Sequence, residues 1–241
     1  MKICLAATSD KGWIPNLSDS KYNLESFYYF QEWQVPLIKC SELFLLDSGA
    51  FTFMNSKNGG CNFDEYLTRY IDFINKHNVK YFFELDVDCI VGYEKVKQMR
   101  LRLERETGKK CIPVWHKSRG KDEFLKMCDE YDYVAIGGIV SKEITKEQYP
   151  VFTWFINEAH KRGCRIHGLG FTSIVDLPKY HFDSVDSTSW KSGGRFGQCH
   201  LFQNGTMKTI MQKHKRAIYK EIDKHNFNEW VKFQQYADKK L

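Results

Sequence analysis

Short apolar runs alternate with amphipathic segments along most of the chain. The runs are nearly continuously apolar and rich in Val, Ile and Phe, which is typical of parallel strands buried on both faces. They predict seven strands, at residues 3–8, 43–47, 81–87, 111–116, 133–138, 165–170 and 182–186, and the stretch 199–203 is a candidate eighth.

The segments between these runs carry apolar residues at helical spacing. In the clearest of them Phe63, Leu67 and Tyr70 share a face with Ile71 and Ile74. Glycine follows two of the segments at a position suited to a helix C-cap. The pattern predicts helices at 63–77, 92–107, 122–131, 146–162 and 206–224, and a terminal helix within 226–241.

Strand and helix in this regular alternation predict an α/β fold with a parallel sheet. Seven or eight repeats in 241 residues favour a single (β/α)8 TIM-like barrel, in which the last strand is the least regular, over an open doubly wound sheet. We therefore expect one barrel domain over 1–241 with a C-terminal helical extension from about 206 to 241.

Composition narrows the class of protein only modestly. Hydrophobic residues make up 42% and charged residues 27%, as in ordinary globular domains, and the net charge of +6 is compatible with a polyanionic partner. No apolar run reaches the roughly 18 residues of a membrane span. The eight cysteines show no Cys-x-x-Cys spacing. We expect a reduced, cytoplasmic compartment, no membrane partner, no metal and no cofactor.

Carboxylates follow or end several of the predicted strands. Asp47 ends the second run, Asp86 lies near the end of the third, and Asp183 and Asp186 lie in the seventh. Functional groups gather at the carboxyl ends of the strands in a parallel barrel. A single Asp there could be a helix cap, but several in one ring indicate a functional site.

Several carboxylates around one pocket suit the cleavage of a bond to a sugar. One can attack the sugar carbon and hold a covalent intermediate, while another moves a proton to or from the leaving group. The residues alone indicate a glycosidase or a glycosyl transferase. A non-catalytic barrel whose aspartates are structural caps is the alternative from another class of protein.

Five ordered blocks resemble the tRNA-guanine transglycosylases and their DNA-acting relatives, the 7-deazaguanine DNA transglycosylases of bacteria and phages. Each block is short, but together they span most of the chain. They are Asp47-Ser48-Gly49-Ala50-Phe51, Leu85-Asp86, Ala135-Ile136-Gly137-Gly138, Phe182-Asp183-Ser184 and Ser192-Gly193-Gly194-Arg195-Phe196-Gly197-Gln198.

The resemblance implies a role for each residue that matches a block. Asp183 would be the nucleophile that attacks the sugar C1′, with Asp186 as the fallback, and Asp47 would be the acid/base group. Asp86 would accept hydrogen bonds from the guanine edge. Phe51 would stack on the base, and the backbone of Gly137 and Gly138 would donate to its carbonyl. By a looser match, His116 and His167 would also contact the base, but each could equally be structural.

Departures from the family pattern bear on the substrate. The tRNA enzymes carry a Cys-x-Cys-x-x-Cys…His zinc site after the nucleophile block, where this chain has only Cys199 and His200, and we expect no zinc there. The chain also ends soon after the barrel. Both features are similar to the compact phage members, so we expect DNA and a 7-deazaguanine base such as preQ0 as partners, with tRNA as the alternative.

Two loops would lie at the mouth of such a barrel. Residues 55–62 and 191–197 are basic and rich in glycine. They could contact the strand that flanks the target base, or they could be ordinary surface loops.

Overall fold

A computed structural model describes residues 1–8, 19–55, 62–211 and 219–241, without the side chains of Phe51, Met54, Asn55 and Tyr219. Eight parallel strands form one sheet in the order β4-β3-β2-β1-β8-β7-β6-β5. Their bounds are β1 Lys2–Ala6, β2 Tyr22–Ser26, β3 Leu43–Asp47, β4 Tyr81–Phe82, β5 Val114–Trp115, β6 Tyr133–Ile136, β7 Arg165–Gly168 and β8 Ser184–Ser187.

Backbone hydrogen bonds join the two edges of this sheet. Phe83, directly after β4, forms a parallel bridge with Ile112, just before β5. The Ile112 N–H donates to the Phe82 carbonyl (2.8 Å) and the Glu84 N–H donates to the Ile112 carbonyl (3.0 Å). The sheet therefore curls into a (β/α)8 TIM-like barrel, and the predicted fold class is confirmed.

Helices lie between the strands and cover the outside of the barrel. They bury their apolar stripes against outward-facing strand residues such as Leu46, Phe82, Val134 and Ile166. The described helices are α1 Val35–Cys40, α2 Ala50–Asn55, α3 Phe63–His77, α4 Asp88–Val91, α5 Tyr93–Thr107, α6 Gly120–Glu130, α7 Phe152–Lys161, α8 Ser192–Phe196 and α9 Tyr219–Lys240.

Alternation along each strand decides which side chains fill the barrel. A cluster of inward-facing residues forms the interior, among them Cys4, Leu24, Leu45, Phe83 and Ala135. On four of these strands the residue two positions further on lies at the carboxyl-terminal mouth, namely Ala6, Ser26, Asp47 and Gly137. Strand β4 ends at Phe82, and Asp86 lies at the mouth although it follows Phe83 by three positions.

One barrel strand was missing from the sequence prediction. Each of the seven predicted runs overlaps a barrel strand, but β2 has the sequence Tyr-Asn-Leu-Glu-Ser, which is too polar to stand out as an apolar run. Its polar residues are buried because they are bonded: the Asn23 amide donates to the Ser20 carbonyl (3.0 Å) and to Ser41 Oγ (2.8 Å).

The region after the barrel corrects two further predictions. The candidate eighth strand at 199–203 is instead part of an antiparallel hairpin outside the barrel, formed by β9 Gln198–Gln203 and β10 Thr206–Met211. A helix over 206–224 is therefore wrong in its first part, and so is a helical extension that starts at 206. The described C-terminal helix is α9, which begins at Tyr219.

Candidate active site

A cavity of about 760 Å³ opens at the carboxyl-terminal mouth of the barrel, within the size range of small-ligand sites. Every barrel strand, or the loop after it, contributes to the lining. In chain order these contributions include Ala6, Leu24, Asp47, Asp86, His116, Gly137, Gly170 and Asp186.

Three aspartates from three strands converge on this cavity. Asp47 is the last residue of β3, Asp86 follows β4, and Asp186 lies in β8. Asp86 and Asp186 expose only 13% and 12% of their side chains. Because like charges in one poorly hydrated site repel each other, the arrangement favours at least one protonated carboxyl group.

The surroundings of Asp47 favour its protonated form. Burial raises its pKa to about 7, and the negative charges of Asp86 and Asp186 also act to raise it. A hydrogen bond from the Gly49 N–H to Oδ2 (3.0 Å) acts in the opposite direction. A group that titrates near neutral pH suits general acid and base work.

Asp186 is held as an acceptor by two donors on one oxygen. Its Oδ1 accepts the Gly170 N–H (2.6 Å) and lies 3.3 Å from His167 Nε2. His167 is fully buried inside the barrel, and its Nδ1 contacts Ser184 Oγ, which in turn contacts the Tyr133 hydroxyl. His167 therefore orients Asp186 from within the core, and Oδ2 is left as the candidate nucleophilic oxygen.

Asp86 is oriented by a histidine between two carboxylates. His116 Nε2 lies 3.1 Å from Asp86 Oδ2, and His116 Nδ1 lies 3.3 Å from Glu143 Oε2. Burial acts to lower the pKa of His116, but the hydrogen bond and the charge of Asp86 outweigh it and raise that pKa above its ordinary value. A protonated ring would donate to both carboxylates at once.

The Gly137-Gly138 pair makes room for this histidine and its partner. A Cβ on Gly137 would lie 2.6 Å from His116 Cε1, and one on Gly138 would lie 2.7 Å from Glu143 Oε2. The Gly137 N–H donates to the Trp115 carbonyl within the sheet (2.8 Å). The predicted donation from Gly137 to a base carbonyl is therefore wrong, while that from Gly138 stays a prediction.

Asp183 does not reach the cavity, and the prediction that it meets Asp47 there is wrong. It precedes β8 at the amino-terminal end of the barrel, where its carbonyl accepts the Lys2 N–H (3.0 Å). Its carboxylate lies 3.0 Å from Nε2 of His160, on the outer helix α7, and accepts the Ile166 N–H (2.8 Å). The fallback residue, Asp186, lies at the mouth instead.

Phe51 lies in α2, close in sequence to the cavity residues Gly49 and Thr52. Its side chain is outside the described part of the structure, so its predicted stacking on a base stays a prediction. The loop 55–62 lies outside the described residues except at its two ends, Asn55 and Asn62.

Four charged residues at the site were not singled out individually from the sequence. Glu25, Lys191 and Arg195 line the cavity, and Glu143 reaches His116 from the loop after β6. Burial raises the pKa of Glu25 to about 7, although bonds from Thr8 and Gln34 act against this. The basic stretch 191–197 was a usable signal for Lys191 and Arg195, but nothing in the sequence marks Glu143.

His200, in the region of the family's zinc site, has other partners here. Its Nδ1 accepts the Trp230 indole N–H (2.8 Å) and its Nε2 lies 3.0 Å from Ser192 Oγ. Within the described ranges, no three His, Cys, Asp or Glu side chains are grouped so as to hold a metal ion. Nor does any helix in those ranges have the length and apolar character needed to cross a membrane.

Comparison with known proteins shows a distant similarity to a viral protein. The chain is similar to Uncharacterized protein 306 of Sulfolobus islandicus rod-shaped virus 1, with 27% identity over 167 residues. The match covers 63% of this chain and 54% of the viral protein, so the chain spans about half the length of that curated relative. No protein family model matches the chain.

Proposed function

We propose that this chain exchanges guanine in a nucleic acid for a 7-deazaguanine base, with Asp186 as the nucleophile and Asp47 as the acid/base group. The observation that carries the proposal is the convergence of Asp47, Asp86 and Asp186 on one cavity at the barrel mouth. A pKa of about 7 for Asp47 supplies a proton donor beside a carboxylate that is held for attack.

The exchange consists of two substitutions at the sugar C1′. In the first, an Asp186 oxygen forms a bond to C1′, the bond from C1′ to guanine breaks, and guanine leaves with the bonding electrons and a proton from Asp47. In the second, the incoming deazaguanine gives a proton to Asp47 and attacks C1′, which releases the Asp186 carboxylate. Atoms and charge balance without any further reactant.

Asp86 is suited to recognise the base. A carboxylate that accepts two N–H groups matches the edge of guanine or of a 7-deazaguanine, which presents neighbouring N–H donors. His116 and Glu143 would keep Asp86 in one orientation for this contact. The same acceptor serves the leaving and the incoming base, as an exchange reaction requires.

DNA is the proposed substrate, with tRNA as the alternative. Lys191 and Arg195 bring positive charge to the cavity, and the chain as a whole carries +6. The zinc motif of the tRNA enzymes is missing from the sequence, and His200 bonds to Trp230 and Ser192 instead. The target nucleotide would have to leave the base stack to enter the cavity, at a cost of a few kcal/mol.

Two matched substitutions test the nucleophile. We expect Asp186→Asn to lower incorporation of labelled preQ0 into DNA by on the order of 10³-fold or more. Asp183→Asn, the same change at the opposite end of the barrel, should retain incorporation, with circular dichroism as the check of folding. The reverse result, loss with Asp183→Asn and retention with Asp186→Asn, would refute the assignment.

The same assay distinguishes DNA from tRNA as the substrate, and it also distinguishes an enzyme from a non-catalytic barrel. DNA oligonucleotides and tRNA transcripts are offered in parallel, with mass spectrometry of the released nucleosides as the readout. Incorporation into tRNA alone would transfer the proposal to the alternative substrate. No incorporation into either, together with unchanged nucleic-acid binding by Asp47→Asn and Asp186→Asn, would show a binding protein whose aspartates are structural.

A further inference from the structure

A second cavity, of about 350 Å³, adjoins the first one between the barrel rim and the hairpin β9–β10. The two cavities share four lining residues, so they are neighbouring compartments of one surface. The shared residues are Thr172, Thr188, Ser189 and Arg195. Nothing in the proposed exchange of a single base occupies the second compartment.

The lining of the second cavity combines polar side chains with an apolar patch, which is formed by Ile174, Phe196, Met207 and Trp230. Phe196, the last residue of α8, exposes 65% of its surface although it is a large apolar side chain. Ile174 and Met207 contribute further apolar wall, and the buried Trp230 lies beneath. An exposed aromatic ring at such a place is a stacking platform for a flat base.

The polar groups on the floor of the second cavity are uncharged. The Trp230 indole donates to His200 Nδ1, so the remaining hydrogen of a neutral His200 ring lies on Nε2, toward Ser192 Oγ. Burial lowers the pKa of His200, and the charge of His225 lowers it further, which keeps the ring neutral. The compartment thus offers neutral polar groups and apolar surface.

Arg195 is the cation at the boundary between the two compartments. The residue is exposed and lines both cavities. A strand with one nucleotide in each compartment must pass a single phosphodiester across this boundary. A planar guanidinium is well suited to bind that phosphate.

The segment that carries Arg195 and Phe196 is anchored in place. Gly193 packs so closely on α9 that a Cβ there would lie 2.4 Å from Ile222 Cγ2. The Gly194 N–H donates to Asp223 Oδ1 (2.8 Å). Both contacts fix α8 to α9, so Arg195 and Phe196 are presented by a supported element.

We propose that the second cavity binds the nucleotide next to the exchanged one in a single polynucleotide strand. Its base stacks on Phe196, and Arg195 holds the connecting phosphate. This inference rests on the proposed function for the identity of the nucleotide in the first cavity, and it makes the protein a reader of two adjacent nucleotides.

Binding of short ligands tests the inference without any turnover. The full chain is titrated with dGMP and with the dinucleotides d(GpT) and d(TpG), in deoxy and ribo forms, by calorimetry. We expect one dinucleotide order to bind roughly tenfold more tightly than the mononucleotide. Phe196→Ala should remove that gain and leave dGMP binding unchanged, and Arg195→Gln should weaken the dinucleotide and reduce its salt dependence.

Matched controls lie on α5, away from both cavities. Leu101 exposes 64% of its surface and Arg105 exposes 73% of its side chain, so Leu101→Ala and Arg105→Gln remove comparable groups. Both controls should bind the dinucleotide as the unchanged protein does. Equal affinity for mononucleotide and dinucleotide, or a dinucleotide gain that survives Phe196→Ala, would overturn the inference.

The two proposals fail in distinguishable ways. If the unchanged protein shows the Phe196-dependent gain but incorporates no preQ0, the two-nucleotide site stands and base exchange is refuted. If it incorporates preQ0 and Phe196→Ala leaves both the oligonucleotide KM and dinucleotide binding unchanged, base exchange stands and the second site is refuted.

Discussion

Asp47 is a residue whose chemistry depends strongly on its surroundings. An isolated aspartate is fully ionised at pH 7, but burial and two neighbouring carboxylates raise the pKa of Asp47 to about 7. The same environment lowers the stability of the folded protein near neutral pH, because the ionised form of Asp47 is disfavoured only in the folded state. A catalytic assignment for Asp47 therefore carries a consequence for stability.

That consequence is a specific pH dependence. Below its ordinary pKa of 3.8 Asp47 is protonated in both states and costs nothing. Between pH 4 and 7 the unfolded chain releases the proton while the folded protein retains it, so stability falls as pH rises. We expect Asp47→Asn to gain under about 1 kcal/mol at pH 4 and up to about 4 kcal/mol at pH 8, at 1.36 kcal/mol per pKa unit.

Urea unfolding of both proteins across this pH range measures the difference. Glu25 also titrates near pH 7, but it is present in both proteins and cancels in the comparison. A stability difference that is constant from pH 4 to pH 8 would contradict a raised pKa for Asp47.

The alternation of side chains along β8 explains why the sequence placed Asp183, and not Asp186, first at the predicted site. The match to Phe182-Asp183-Ser184 was a short string, and it fell on a residue that faces the outer helices. The inward positions on β8 are Ser184 and Asp186, and Asp186 lines the same cavity as Asp47 on β3. Period-two reasoning applied to this strand would have favoured Asp186, whereas matching letters could not.

At the scale of elements, the junction of β4 and β5 is the most unusual part of the barrel. A single bridge, between Phe83 and Ile112, pairs the two strands. Beyond the bridge a side chain replaces the main-chain pairing, because Glu84 Oε1 accepts the Val114 N–H (2.9 Å). Glu84 is fully buried and also bonds to Arg119 (2.7 Å), while Arg100 lies 3.6 Å away. A buried carboxylate with two arginines thus holds together strands that diverge toward the cavity.

Neutralising Glu84 should therefore weaken the barrel strongly. Glu84→Gln leaves the charges of Arg100 and Arg119 with less compensation, at an expected loss of about 3 kcal/mol in the free energy of unfolding. Glu42→Gln is the matched control, since Glu42 and its partner Lys21 expose 56% and 45% of their side chains, and it should cost under about 1 kcal/mol. Equal losses in denaturant titrations would show that the junction is not held by Glu84.

The elements differ in how far the sequence could predict them. Apolar runs located β1 and β3 to β8 because these strands are buried on both faces, but β2 is buried through bonded polar groups. The hairpin was misread as a strand and a helix, although Asn204-Gly205 between β9 and β10 is a strong turn signal. Both residues have positive φ, at 51° and 78°, as a tight hairpin turn requires.

At the scale of the whole molecule, α9 packs against β1, which lies far from it in the sequence. It packs beside β1 and behind α8, with Phe227, Trp230 and Phe233 buried. Trp190, next to Phe227, donates its indole N–H to the Ala6 carbonyl at the end of β1 (2.8 Å). Helix α9 is therefore part of the hydrophobic core around the barrel and a support for α8, which helix periodicity alone could not reveal.

Gln234 is the polar centre of this attachment. Its amide nitrogen donates to the Ile3 and Tyr22 carbonyls (2.7 and 3.0 Å), and its oxygen accepts the Lys21 N–H (2.9 Å). It thus satisfies main-chain groups near the start of β1 and β2.

Removing the Gln234 side chain should lower the free energy of unfolding by more than the loss of its packing contacts alone would. Gln234→Ala removes hydrogen bonds from the main chain of Ile3, Lys21 and Tyr22, at an expected cost of about 2–4 kcal/mol. Gln235→Ala removes the same side chain from an exposed position one residue away and should change stability by about 0.5 kcal/mol or less. Equal unfolding midpoints for the two variants would mean that α9 is attached by its apolar face only. A selective loss with Gln234→Ala would show that polar bonds set where α9 lies, and thereby where α8 presents Arg195 and Phe196.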